Sequence, residues 1–454
     1  MKNPRLILAA PMSGSGKTTI SLALMLALRK RGFNVQPFKV GPDFIDTTLH
    51  KQVCGVPSRN LDTWLLPSRL IPEILANSAR PHSIAVIEGV MGLYDGFGGT
   101  RDAASTAQIS KLLNTPVILI VDAEKMARSA AAVVLGFRKF DPKVKIAAVI
   151  LNKVAGQKHA AMCRDAIEKI GIPVVGAIPY DQSLSMRERH LGLVPTPEQR
   201  LSDNLLSKLV EMIEDNCDVS RLIKIASKAS ELPNPSHHVH NPKTRFALGV
   251  AYDEAFNFYY EDALDYLRKL GADITFFSPL NDHQLPEVSG LYLGGGFPEV
   301  YAEQLETGRI RDSIRTAAES GMPIYAECGG MMYLSQSLTT IQGGKHRMVG
   351  VLHGNTVMTG RFTLNYTEAY ATRAHPFLKS GKRIRGQEFH YSTITDLPND
   401  VRFAYELSIG KGMRNGFDGI SEYSTLGSYM HTHLLGCPAF AKSFVESCYR
   451  YSKT

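Results

Sequence analysis

The stretch IYAECGGMMYL (324–334) sets a single thiol, Cys328, between an apolar run and a run of helical texture, with Gly329 and Gly330 directly after it. No neighbouring cysteine could pair with it as a disulfide or share a metal with it. A cysteine at a sharp strand-to-helix turn with small neighbours, here Ala326 and Gly330, has the form of a nucleophile elbow. Such a turn is expected to expose the sulfur, and the following helix N-terminus to lower its pKa. The N–H of Gly329 is then available for a developing oxyanion, and GLYLGGGFPE (290–299) supplies a second backbone donor at Gly295 or Gly296. A general base comes from SYMHTHLLG (428–436), which offers His431 and His433. Together these residues imply glutamine hydrolysis: Cys328 attacks the side-chain amide, forms a thioester and releases ammonia. Cys54, Cys163, Cys217, Cys437 and Cys448 sit in no such turn and read as packing residues. His390 in RGQEFHYS either orients a substrate or packs.

A second chemical segment lies near the N-terminus. RLILAAPMSGSGKTTI (5–20) runs from hydrophobic strand to small-residue loop to helix. Successive backbone N–H groups in such a loop bind phosphate oxygens, and glycine allows close approach. Ser13, Gly14, Ser15, Gly16, Lys17, Thr18 and Thr19 are therefore expected to bind ATP, with Lys17 on the β- and γ-phosphates and the Thr18 hydroxyl on Mg²⁺. Pro11 stands where the usual first glycine would be, as in variant loops of the dethiobiotin synthetase-like branch. VIEGVMGLYDG ends an apolar strand on Glu88 and brings Asp95 one short loop later; FKVGPDFIDTTLH offers Lys39, Asp43 and Asp46. Carboxylates at the carboxyl ends of strands in an open α/β sheet face the ligand crevice, and hard oxygen ligands suit Mg²⁺. Thr18, Asp43 and Glu88 are the expected metal ligands; Lys39, Asp46 and Asp95 join Asp43 and Glu88 in handling substrate. Helix capping is the plain alternative for Asp46. Glu88 is the harder one to explain away, since an acid ending a buried strand is costly without a partner. Asn152 and Lys153 fall where related folds contact adenine.

The elements that must position these groups follow from apolar patterning. RLILAA, NVQPFKV, SIAVIEG, PVILIVDA, KIAAVILNKV and IPVVGAIPY alternate with helical segments, which predicts a parallel, doubly wound sheet. At 228–243 the texture turns polar, with three prolines and with His237, His238 and His240, and reads as a linker whose histidines are solvated rather than metal-binding. Beyond it RFALGVAYD, ADITFFSP, GLYLGGG and PIYAE predict a second α/β unit. MVGVLHGNTVM, RFTLNYTEAYAT, FHYSTI and VRFAYEL predict a β-rich tail, and PAFAKSFVESCYRY a last helix. The expected division is 1–228, a linker at 229–243, and 244–454.

Length and composition agree: 454 residues exceed one ordinary core, and 44% apolar with 21% charged residues describe a soluble globular chain. The net charge of +8 is scattered rather than clustered, which speaks against nucleic acid and suits an anionic small substrate. The short apolar start fits no signal peptide, and no run is long enough to span a membrane, so a cytoplasmic protein with reduced thiols is expected. A homodimer stays open alongside a single chain.

APMSGSGKTT, KVGPDFIDTTLH, SRNLDTW, EGVMGLYDG, RHLGLVPT, YLGGGFPE, AECGGMMYL, GQEFHYS and SYMHTH occur in this order over nearly the whole chain. In that order they resemble the cobyrinate a,c-diamide synthase family of glutamine amidotransferases. The sister Ni-sirohydrochlorin a,c-diamide synthases share the motifs and stay open as an alternative. The resemblance implies a P-loop NTPase-like (dethiobiotin synthetase-like) domain followed by a class I glutamine amidotransferase-like α/β domain. It implies that ATP phosphorylates a peripheral carboxylate of a corrinoid or nickel tetrapyrrole and that ammonia from glutamine displaces phosphate. It assigns metal and substrate handling to Asp43, Asp46, Glu88 and Asp95, and the glutaminase base to His431. Triad amidotransferases commonly place a glutamate two residues after that histidine; His433 stands there here, which leaves the third member open. A nucleotide-switch ATPase without glutaminase, or a ligase for another acid, is the remaining alternative.

Overall fold

The computed structural model describes residues 3–184, 201–232 and 244–454, which divide into two compact units, the first ending at 232 and the second starting at 244. The segment RHLGLVPT and the histidines His237, His238 and His240 lie outside the described residues.

The first unit is built on strands β1 (Arg5–Ala9), β2 (Asn34–Val40), β3 (Arg59–Leu61), β4 (Ser83–Glu88), β5 (Val117–Asp122), β6 (Ile146–Val154) and β7 (Val174–Pro179). They form one sheet in the order β3-β2-β4-β1-β5-β6-β7, parallel throughout. Six of the seven coincide with expected runs; β3 is three residues long, too short to show a period. The runs lack polar alternation because both faces are covered: Leu6, Ile7 and Leu8 are all at 0% exposure. The order changes direction around β1, so the loop after β1 opens at the switch point where such sheets bind ligands. The helix Lys17–Lys30 begins there; its Leu-, Ala- and Met-rich middle favours helix and is buried over most of its circumference.

The second unit contains β8 (Phe246–Ala251), β9 (Phe256–Phe258), β10 (Ala272–Phe277), β11 (Leu291–Leu293), β12 (Gly295–Gly296) and β13 (Ile324–Glu327). Then follow β14 (Ser337–Thr339), β15 (Lys345–Arg347), β16 (Asn355–Ala371), β17 (Arg383–Thr395), β18 (Phe403–Ile409), β19 (Phe417–Glu422), β20 (Thr425–Ser428) and β21 (Met430–Thr432). A parallel core, β10-β8-β11-β13-β20, continues through antiparallel β19, β18 and β16, while β17 joins β16 to β21. The final helix occupies Pro438–Tyr451, the stretch PAFAKSFVESCYRY. One expected strand is shorter than its sequence suggested. MVGVLHGNTVM turns extended only from Asn355, because Gly350 (φ 77°) and Gly354 (φ 106°) break the run, and the remainder fuses with RFTLNYTEAYA into the long β16. No helix of the described residues is long and apolar enough to cross a membrane.

Candidate active sites

The phosphate loop is held open by sequence-specific contacts. Gly16 caps the helix Lys17–Lys30 at φ 88°, and a Cβ there would lie 2.3 Å from Asn152 Nδ2, so only glycine fits. Asn152 donates to the Ser15 carbonyl at 3.0 Å, which ties the end of β6 to the loop. Lys153, at φ 57°, pairs with Asp122 at 2.7 Å. Both residues of the expected adenine pair thus have structural work at the loop. Ser13 and Gly14 are exposed, Gly14 at φ 78°, and Thr19 lies half-buried in the first helical turn. Lys17 folds back onto the carbonyls of Met12 (3.2 Å) and Met91 (2.6 Å). Burial, then the charge of Lys39, lowers its pKa to about 8.

Glu88, at 0% exposure, is where the surrounding elements converge. Its Oε1 accepts from Thr18 Oγ1 at 2.7 Å and from Lys39 Nζ at 2.9 Å, and Oε2 meets His50 Nε2 at 2.8 Å. Burial pushes its pKa up, but Lys39 and the His50 bond outweigh this against the opposing charge of Asp46, and the carboxyl is held below its ordinary range. Lys39 also pairs with Asp46 at 2.6 Å. Burial opposes its charge, yet Asp46, Glu88 and Asp43 together raise its pKa. The capping function considered for Asp46 belongs to Asp43, whose Oδ1 accepts from the N–H groups of Ile45 (2.7 Å) and Asp46 (3.0 Å). Asp95 Oδ2 accepts from Gly92 N–H at 2.9 Å and braces the loop that carries Met91. His50 went unweighed in the sequence although it closes KVGPDFIDTTLH. It is fully buried, with Nδ1 3.0 Å from Ser58 Oγ. A histidine one helical turn after Asp46, in the helix Ile45–Cys54, was the available signal.

In the second unit Cys328 follows β13 and caps the next helix at φ 45°, ψ −102°, a strained turn for a residue with a Cβ. Its N–H donates to Ser428 O at 2.7 Å, and its Sγ lies 3.4 Å from Phe389 O. The elbow is as expected, but the thiol is not exposed: Cys328 is only 4% accessible. Its pKa is raised rather than lowered, first by burial and then by the charge of Glu299, and the bond from Gly329 N–H does not compensate. The six-residue helix Gly329–Leu334 is too short to reverse this. The glycines after the thiol answer a steric demand: a Cβ on Gly330 would lie 2.3 Å from Leu293 O, and one on Gly329 would lie 2.9 Å from Gly296 N.

The strand Gly295–Gly296 links the remaining parts. Gly296 packs on Gly329, and a Cβ on Gly295 would lie 2.5 Å from Cε1 of His431. His431, fully buried, therefore lies against Gly295, the neighbour of the Gly296 that packs on the elbow. His433 stacks on Tyr260 with centroids 4.7 Å apart, and burial lowers its pKa to about 3. His390 stacks on Tyr429 at 3.8 Å and its Nδ1 donates to Ser392 O at 2.8 Å, which is a packing arrangement.

Residues 6–194 match the CobQ/CobB/MinD/ParA nucleotide binding domain, and residues 247–438 match the CobB/CobQ-like glutamine amidotransferase domain. The cobyrinate a,c-diamide synthase of Methanosarcina barkeri is 43% identical over 98% of this chain and 96% of its own length. That of Listeria innocua is 44% identical over 96% of this chain and 97% of its own. The chain belongs to the cobyrinate a,c-diamide synthase family. Membership agrees with the two α/β units: the CobQ/CobB-type domain covers the parallel sheet around β1, and the amidotransferase domain covers β8 through the start of the last helix. Within the family frame, Lys39, Asp46, His50 and Glu88 form one buried, charge-paired group beside the phosphate loop.

Proposed function

We propose that the chain is an ATP- and glutamine-dependent ligase that amidates the a and c side-chain carboxylates of cobyrinate. The observation that carries this reading is the presence in one polypeptide of two chemical centres. One is the Lys17–Thr18–Lys39–Glu88 group at a phosphate loop; the other is the Cys328 elbow, sharing its glycine strand with His431. Relatives of nearly equal length bearing that synthase name support the choice of substrate.

At the loop, the N–H groups of residues 13–18 cradle the triphosphate, and Lys17 swings from the Met12 and Met91 carbonyls to the transferring phosphoryl group. The Thr18 hydroxyl and the Glu88 carboxylate, 2.7 Å apart, are hard oxygen donors that would hold Mg²⁺. When bound, that ion offsets phosphate charge. Among the described residues no group of three acidic, histidine or cysteine side chains could enclose a metal. A substrate carboxylate oxygen attacks the γ-phosphorus, ADP leaves, and an acyl phosphate remains. Lys39 keeps Glu88 ionised and pairs with both Glu88 and Asp46 beside the phosphates.

At the elbow the resting thiol is protonated. His431 takes its proton as the sulfur attacks the glutamine amide carbon, with the N–H groups of Gly329 and Gly295 or Gly296 holding the oxyanion. The proton passes to the leaving nitrogen, ammonia departs, and water hydrolyses the thioester to glutamate. Ammonia then attacks the acyl phosphate carbon and inorganic phosphate leaves, forming the amide.

Incubation with ATP, Mg²⁺, glutamine and cobyrinate should give two successive mass decreases, each the replacement of OH by NH₂. Conversion of Ni-sirohydrochlorin alone would move the reading to the nickel macrocycle, and two unchanged macrocycles would refute it.

A further inference from the structure

The position that completes a triad in many glutaminases is taken here by His433, whose ring nitrogens hydrogen-bond to none of the described residues. A carboxylate reaches His431 from elsewhere. Glu327, the residue immediately before the nucleophile, is at 0% exposure, and its Oε2 lies 3.6 Å from His431 Nδ1. Its other contacts fix it in place. Oε1 accepts from Tyr325 OH at 2.5 Å and from Thr432 N–H at 2.8 Å, and Oε2 accepts from Tyr292 OH at 3.0 Å. Burial raises the pKa of both tyrosines well above 10, so they remain donors. A buried carboxylate without such donors would be strongly disfavoured; with three, its charge is held at one point.

The geometry joins the two reacting groups. Glu327 is covalently adjacent to Cys328, and it binds the backbone of Thr432, adjacent to His431. One side chain thus sets the end of β21 against the end of β13. A neutral His431 with its proton on Nδ1, toward Glu327, presents a basic Nε2, which faces Gly295: a Cβ there would be 3.4 Å from it.

We propose that Glu327 is the positioning residue of the glutaminase, orienting His431 and offsetting the imidazolium charge that forms when the thiol is deprotonated. This rests on the reading of Cys328 and His431 as nucleophile and base. Other titratable groups packed around His431 are accounted for. On β17, Glu388 accepts from the N–H groups of Lys411 and Gly412, and His390 is bound to Ser392 O. Asp418 on β19 accepts from the N–H groups of Tyr429 and Met430. Glu327 is the acid whose oxygen is aimed at the ring.

The test is Glu327→Gln in the full chain, with Glu327→Asp beside it. Gln keeps one acceptor oxygen, for Tyr325 OH and Thr432 N–H, sets an NH₂ donor toward Tyr292 OH, whose oxygen can accept, and removes the charge. Glutamine-dependent kcat should fall roughly 10²- to 10⁴-fold with little change in KM for glutamine. The acid limb of its pH profile should move to lower pH, because the imidazolium loses its counter-charge. Glu327→Asp should recover part of kcat and return the limb toward its original position. Ammonium-dependent amidation reports on folding. A kcat within about threefold of the parent, or a fall in kcat with an unmoved acid limb, overturns the assignment. Should Glu327→Gln fail to fold, Glu327→Ala, which also removes the charge, decides by the same criteria. Retained glutamine use in Cys328→Ala would instead refute the underlying reading, so the two failures are distinguishable.

Discussion

Lys39 Nζ lies 2.9 Å from Glu88 Oε1, and both side chains are cut off from solvent at the carboxyl ends of adjacent strands. Neither charge would be tolerable alone at this depth, so the pair is a condition for placing an acid beside the phosphate loop at all. Glu88→Gln keeps an acceptor for Thr18 and leaves Lys39 its bond to Asp46, so a folded protein is expected, destabilised by about 1–3 kcal/mol. Phosphoryl transfer should drop roughly 10²- to 10⁴-fold, because charge, not shape, has been removed. Positional isotope exchange in ATP measures this apart from glutamine hydrolysis, which should continue. Unchanged exchange would show that Glu88 only supports the fold.

Cys328→Ala separates the two chemistries. The small side chain preserves the packing of a residue that is nearly buried, although φ 45° remains unfavourable. Glutamine-dependent amidation should vanish while ammonium-dependent amidation persists; Lys17→Ala should abolish both. Rates with each nitrogen source, measured side by side, check the pattern. Full glutamine use by Cys328→Ala would move the nucleophile elsewhere.

These centres were unequally legible in the sequence. The phosphate loop could be read because its chemistry is contiguous: Gly16, Lys17 and Thr18 act through consecutive backbone positions. Cys328 could be placed at an elbow from its flanking glycines, but its thiol pKa depends on what covers it, and Phe389 and Glu299 come from distant segments. Glu327 stood in the quoted motif and was passed over, since the relation of one strand end to β21 exists only once the sheet closes. His50 was missed for a similar reason: its partner Glu88 lies on another strand. The break before β16 was visible in Gly350 and Gly354, yet alternation on either side outweighed it.

Gly16→Ala tests the loop sterically. The residue occupies φ 88°, and its new Cβ would come within 2.3 Å of Asn152 Nδ2, the group that ties β6 to Ser15. Either the loop or Asn152 must shift. Strain of about 1–2 kcal/mol is expected, with ATP affinity weakened at least about tenfold as the N–H groups lose alignment. Titration calorimetry with a non-hydrolysable ATP analogue reads this directly, and an unchanged affinity would mean that the loop re-forms around the methyl group.

His375 supplies a pH prediction away from both centres. It is 7% exposed, accepts from Phe377 N–H through Nδ1 at 3.0 Å, and meets Tyr405 OH through Nε2 at 3.1 Å. Burial lowers its pKa from 6.5 to about 3. As pH falls through 6.5 the unfolded chain takes up a proton that the folded chain refuses, so the contribution is complete above pH 6.5 and is lost progressively down to about pH 3. His390 and His433, lowered to about 4 and about 3, act with the same sign, whereas Asp418, raised to about 7 by burial, acts oppositely. His375→Gln should therefore flatten the loss of unfolding free energy between pH 6.5 and 4 by about 1.4 kcal/mol per pH unit relative to the parent. Denaturant unfolding followed by near-ultraviolet dichroism over that range gives the slopes. Parallel slopes for parent and variant would mean that His375 already carries its proton in the folded protein.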